Sequence, residues 1–160
     1  MKFIRFLSCV VFCILVCAFN TSCFMWNLGY EVQEKEYYSD KDNFVSVTAT
    51  CIEISTNEHI PDCYFITVED MEYQRADECK FISRTFKIDR ASSTVLKEAN
   101  IEDKLTEGTV FTFVSAPKSF GDGYLCPIIS IEVDGQVLLD FDTGYSNLMN
   151  AYKTSNASPS

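Results

Sequence analysis

Eight cysteines and a single histidine, His59, are the residues whose types could do chemistry in this 160-residue chain. Cys9, Cys13 and Cys17 fall within an N-terminal apolar run and read as small hydrophobes there. Past Cys23, the thiols are Cys51, Cys63, Cys79 and Cys126. If Cys51 and Cys63 flank a hairpin that turns symmetrically about Asn57, they face each other at about the 5.5 Å Cα separation that a disulfide spans. That geometry makes Cys51–Cys63 the candidate disulfide, with two buried thiols as the alternative. Cys51, His59, Cys63 and Cys79 together could be imagined around zinc. Their spacing C-x7-H-x3-C-x15-C lacks the opening ligand pair two to four residues apart that compact zinc sites use, so no metal and no cofactor is expected. Cys63 with His59 is the remaining nucleophile–base pair, because residues i and i+4 can approach across a tight loop. The serines occupy no G-x-S-x-G setting, which removes that hydrolase reading.

Two acidic groups are the other candidates. Glu69, Asp70, Glu72, Asp77 and Glu78 cluster in "VEDMEYQRADEC", without the alternate ligand spacing and mid-loop glycine of an EF-hand. Asp140 and Asp142 make a smaller pair. Solvated loop charge explains both. A contact patch is better furnished by "APKSFGDGY": Pro117 stops ladder pairing, Gly121 and Gly123 free the backbone, and Phe120, Asp122 and Tyr124 are presented between them. Phe120 and Tyr124 suit a sugar ring or a partner's apolar side chain, with a structural turn whose aromatics fold into the barrel end as the alternative.

The elements that position these residues begin after an export signal. Lys2 and Arg5 precede an apolar run from Phe6 to Phe19, which Asn20-Thr21-Ser22 breaks. Those 14 residues fall short of the about 20 that a spanning helix needs. Val16-Cys17-Ala18 suits an ordinary signal peptidase. Asn20-Thr21-Ser22-Cys23 resembles the lipobox of bacterial lipoproteins, which implies lipidation of Cys23, although Asn20 stands where that motif has Leu, Val or Ile. An uncleaved anchor running through Trp26 is the third ending. Residues 1–23 are therefore read as signal, 24–43 as an acidic tether with Tyr37 and Tyr38 able to dock, 44–152 as one domain and 153–160 as a disordered tail.

All 23 Asp and Glu lie beyond Cys23 with 11 of the 13 Lys and Arg, and the whole chain carries −10. Such a surface repels phosphate backbones, so nucleic acid is not an expected partner.

The domain reads as strands with one helical interruption. In "FVSVTATCIEI" Val45, Val47, Ala49 and Cys51 share a face before Ile52 and Ile54 take over, a slip that predicts a bulge. "CYFITVED" and "FISRTFKI" supply two more strands, "ASSTVLKEANIEDKL" a helix capped by Ser92 or Ser93, and "TVFTFVSA" a fourth strand. Leu125, Ile129, Ile131 and Val133 form one face of a fifth strand, and Asp134-Gly135 turns it into "QVLLDF". A short helix over "YSNLMNAY", capped by Thr143, closes the chain.

Three strands, a helix and two more strands is the order of an OB-fold, so the expected class is a mainly β, five-stranded antiparallel OB-like barrel with one inserted and one C-terminal helix, and a curved open sheet with a covering helix is the rival. The stretch "GTVFTFVSAPKSFGDGYLCPIISIEVDGQVLLDF" resembles small exported proteins of Gram-positive bacteria, many of them predicted lipoproteins. That resemblance implies the same barrel outside the membrane and brings no active site. The functional expectation is a non-catalytic binding module, secreted or held at the outer face of the membrane by a lipid anchor or an uncleaved signal, and contacting a protein or a carbohydrate. A small exported enzyme using Cys63 or His59, and a purely structural envelope protein, are the alternatives.

Overall fold

The computed structural model describes residues 32–69, 84–118 and 125–155. Six strands form a mainly antiparallel sheet: β1 (Val45–Asn57), β2 (Ile60–Val68), β3 (Thr85–Lys87), β4 (Val110–Ser115), β5 (Cys126–Val133) and β6 (Gln136–Leu139). The helices are α1 (32–39), α2 (Arg90–Glu98), α3 (Ile101–Lys104) and α4 (Phe141–Ser155), with a 3-10 turn at Lys41–Asn43. Strand order is β3-β2-β1-β4-β5-β6, and β3 also pairs in parallel with β5 through Phe86–Cys126 and Lys87–Pro127. The pairings therefore run in a ring, β1-β2-β3-β5-β4 and back to β1, with β6 attached to β5.

The length of β1 makes the ring possible. Val45 to Thr50 pair with β4, whereas Cys51 to Asn57 pair with β2. A register shift between Cys51 and Glu53 marks the change of partner, at the position where the apolar alternation slips. Ile52 is left on the surface, and Ile54 packs on the core in its place. The bulge bends the strand and lets one element serve two ladders.

Inside the ring, Phe86, Phe111 and Phe113 are buried with Ile66, Val68, Ile88, Ile128 and Ile131. The Phe86 ring meets Phe113 edge-on at 4.8 Å between centroids, and Phe111 stacks on Phe113 at 5.2 Å. Leu96 of α2 and Ile101 of α3 join the same cluster.

The Asp134-Gly135 turn is as expected, with φ of 51° and 75° and Val133 paired to Gln136. One face assignment differs. A second register shift between Val114 and Ser115 pairs Ser115 with Ile128, so Ile129 turns away from the ring while Ile128 and Ile131 point in. β5 is consequently buried on both faces from Cys126 to Ile129, where its sequence is all apolar, whereas Glu132 further along is exposed.

Both helix caps also differ from expectation. Asp89, not Ser92 or Ser93, caps α2 by accepting the Ser92 N–H. Ser93 is buried instead: its Oγ accepts the Tyr64 N–H at 3.0 Å and donates to the Ile88 carbonyl at 3.3 Å, fastening α2 to β2. At α4, Asp140 Oδ1 accepts the Thr143 N–H at 2.9 Å, so the helix starts earlier than a Thr143 cap would allow. It runs to Ser155, into the segment expected as a tail; residues 156–160 lie outside the described residues.

The tether expectation, 24–43, is corrected over its second half. From residue 32 the chain is helical and packed on the domain, whereas the export segment and residues 24–31 lie outside the described residues. Tyr38 is 1% exposed and belongs to a second cluster with Phe44, Ala116, Ile129 and Leu148. The apolar faces of Tyr37, Tyr38 and Phe44 have a patch to cover, and that decides their fate against the charged residues around them.

Candidate functional site

The register of β1 and β2 dissolves the cysteine pairing expected from a turn at Asn57. The loop is Glu58-His59, with Asn57 paired to Ile60 and its Oδ1 accepting the His59 N–H at 2.8 Å. A shift then sets Thr56 against Tyr64, with Asp62 at φ 68° between. Cys51 lies opposite Val68, and the Cys51 and Cys63 thiols are both free and buried. The error came first from centring the turn on Asn57 rather than between Glu58 and His59, and then from treating the hairpin as symmetric, because the extra residues of β2 near the tip move every later pair.

Burial pushes both thiols above their ordinary range. For Cys51, desolvation leads and an N–H from Glu53 partly opposes it. For Cys63, desolvation outweighs the neighbouring Lys87 and Arg90 charges. Both are neutral thiols at neutral pH, so neither is poised as a nucleophile. His59 meanwhile stands in solvent at the hairpin tip, 83% exposed, with Glu58 Oε1 at 3.5 Å from Nε2. Cys63 and His59 thus occupy opposite environments, and the imagined thiol–imidazole pair is not assembled. Cys79 and Cys23 lie outside the described residues.

Among the acidic candidates, Asp70, Glu72, Asp77 and Glu78 also fall outside the described residues. Asp140 is a helix cap whose carboxyl is held below its usual range by the Thr143 N–H and hydroxyl. Asp142 pairs with Lys41 at 3.3 Å. Both therefore have structural employment.

Phe120, Asp122 and Tyr124 lie outside the described residues, but the two ends of their loop are defined. Ala116 and Pro117 are buried at the end of β4, and Ser115 Oγ donates to the Pro127 carbonyl at 2.7 Å, tying one end of the loop to the other. Tyr38 Oη donates to the Lys118 carbonyl at 2.8 Å, and Lys118 Nζ lies 5.5 Å from the Tyr37 ring centre. The loop thus springs from a fixed base, braced by a segment 80 residues away in sequence.

A cleft of about 270 Å³ lined by Tyr64, Lys97, Asn100, Ile101, Glu102 and Asp103 was not foreseen. Tyr64 Oη donates to Glu102 Oε1 at 2.7 Å, and burial together with that carboxylate pushes the phenol up to about 12. Asn100, at φ 54°, makes the sharp joint between α2 and α3 that brings Glu102 there. Residues 38 apart in sequence leave no periodic trace of such a pair.

Comparison of the chain with family models, with curated proteins and with solved structures finds no match.

Proposed function

We propose that the ring of strands is an OB-like barrel, and that the chain is an exported, non-catalytic binding module contacting a protein or a carbohydrate outside the membrane. The observation that carries this reading is the parallel β3–β5 pairing, which closes β1-β2-β3-β5-β4 on itself and sets the β4–β5 connection at a mouth of the ring. In OB-folds the corresponding loop borders the ligand face. The described ends of that connection are fastened at Ser115 and Lys118, and a base held in this way lowers the ordering cost of any contact that Phe120, Asp122 and Tyr124 make. Two neutral thiols and a solvated histidine favour binding over catalysis. The basic start and apolar leader support export.

Cross-linked capture from intact envelopes tests the reading, with the full chain as bait against a Phe120→Ala/Tyr124→Ala variant. A protein or glycan recovered by the first and lost by the second, at unchanged Tm, is the expected result. An identical recovered set from both would overturn the assignment of that loop.

A further inference from the structure

Residues 32–39 are joined to the rest of the molecule differently from any strand. An eight-residue helix is too short to persist alone in water, so α1 is helical because it is docked. Ladder pairing begins at Val45, opposite Ser115, and releasing 32–39 therefore breaks no pair of the sheet. Side chains hold the helix. Tyr38 is sunk in the second cluster, Tyr152 Oη donates to Glu34 Oε2 at 3.0 Å, and Tyr145 Oη donates to the Ser39 carbonyl at 2.8 Å. Val32, Gln33, Lys35 and Glu36 stay exposed. An element docked through one deeply buried ring, with solvated flanks, belongs to the parts of a domain that open before the core does.

The same ring holds the exit of β4. Tyr38 Oη donates to the Lys118 carbonyl, Lys118 Nζ lies over the Tyr37 ring, and Ala116 shares a cluster with Tyr38. Ser115, just before, is fastened from within the ring through the Pro127 carbonyl. The hold on this stretch thus passes from the ring at Ser115 to α1 at Lys118. We infer that residues 32–39 are a strap which opens as a unit from an intact ring, and that its docking and the ordering of Ala116–Lys118 are one coupled equilibrium. Opening takes the tyrosine donor from the Lys118 carbonyl. By linkage, whatever fixes Lys118 against Tyr38 closes the strap by the same factor. A ligand held by the β4–β5 connection would tighten the strap, and release of the strap would weaken that ligand; this consequence rests on the binding reading above, whereas the coupling does not.

Residue-resolved hydrogen exchange on the full chain tests the coupling from the side away from Lys118. A Tyr145→Phe/Tyr152→Phe variant removes two hydroxyl holds on α1 and leaves Tyr38, Lys118 and every ladder residue unchanged. The amides of 33–39, Ala116 and Lys118 should then exchange several-fold faster and by a common factor, while the paired amides of β1 and β5 keep their wild-type rates. Faster exchange in 33–39 with Ala116 and Lys118 unaffected would overturn the coupling. Unchanged rates in 33–39 would overturn the strap itself. An equal rise throughout β1 and β5 would also overturn it, because 32–39 would then open only with the whole domain. Tyr38→Phe gives the reverse measurement and should speed exchange around Glu34 as well as at Lys118. No ligand enters these rates, so they stand or fall apart from the binding proposal.

Discussion

The two apolar clusters of this molecule are built on different principles. The ring interior is a mixed aromatic and aliphatic core whose members come mainly from strands in ladder register, with Phe86, Phe111 and Phe113 among them and Leu96 and Ile101 added from the helices. The second cluster lies outside the ring, between α1, α4 and the outer side of β5, and is mostly tyrosine and phenylalanine. Its rings meet edge-on or tilted, as Tyr38 does with Phe44 at 5.9 Å, and Phe141 stacks on Tyr145. Lys41 caps that stack, 4.7 Å from the Tyr145 ring centre. Where backbone ladders already fix geometry, plain hydrophobes are enough. Where a segment must be held without a ladder, aromatic rings with hydroxyl handles supply both area and direction.

Cutting Phe113 to Ala should produce the largest effect, a loss of about 3–5 kcal/mol with cooperative unfolding of the whole domain, read by denaturant titration. Gly144→Ala should come next. A Cβ there would sit 1.9 Å from the Ile129 carbonyl oxygen, so α4 must lift off β5. A cost of about 2–3 kcal/mol is expected, concentrated in the second cluster. Hydrogen exchange would show residues 32–43 and α4 opening while the ring stays protected. Simultaneous loss of protection in both regions would mean that the clusters are one cooperative unit.

Tyr38→Phe removes a hydroxyl and keeps the ring. About 1 kcal/mol is the expected cost, with faster exchange at the base of the β4–β5 loop because the Lys118 carbonyl loses its donor. The smallest effect near neutral pH concerns Tyr64. Its folded pKa, about 12, is raised above the ordinary value of 10, so the protonated phenol stabilises the fold. That contribution is complete below about pH 10 and is lost as pH rises toward 12. Comparing alkaline phenolate titrations of the wild type and Tyr64→Phe should show the missing group near 12 rather than 10. Thiol labelling adds a control: Cys51, Cys63 and Cys126 should react only as the domain unfolds, each as a free thiol.

The hairpins show what could be read from residues and what could not. Asp134-Gly135 announces its turn because positive φ is affordable there, and the β5–β6 register follows from it. Asn57-Glu58-His59-Ile60 carries no such constraint, and the strand beyond it holds an irregularity at Asp62, so a symmetric turn centred on Asn57 gave the wrong partner for Cys51. The bulge at Ile52 was legible because a period of two slipped by one. The one at Ile129 was not, because Cys126 to Ile129 are all apolar and leave no alternation there to slip. Of the candidate site, the loop at 117–124 stood out by its Pro, Gly and aromatic residues, and Tyr37 and Tyr38 stood out as able to dock, but nothing in the sequence tied Tyr38 to the Lys118 carbonyl.

By itself, the sequence determined the strand-rich class, the inserted helix, the bent first strand and the tight final turn, since each depends on residues within a few positions of one another. Only the tertiary structure decided the register of β1 against β2, the closing of β3 onto β5, and the folding of residues 32–43 onto the domain. Those outcomes depend on which distant surfaces cover one another, and buried area has no local signature: Tyr38 and Tyr152, 114 positions apart in numbering, become neighbours because α4 leaves an aromatic face to fill.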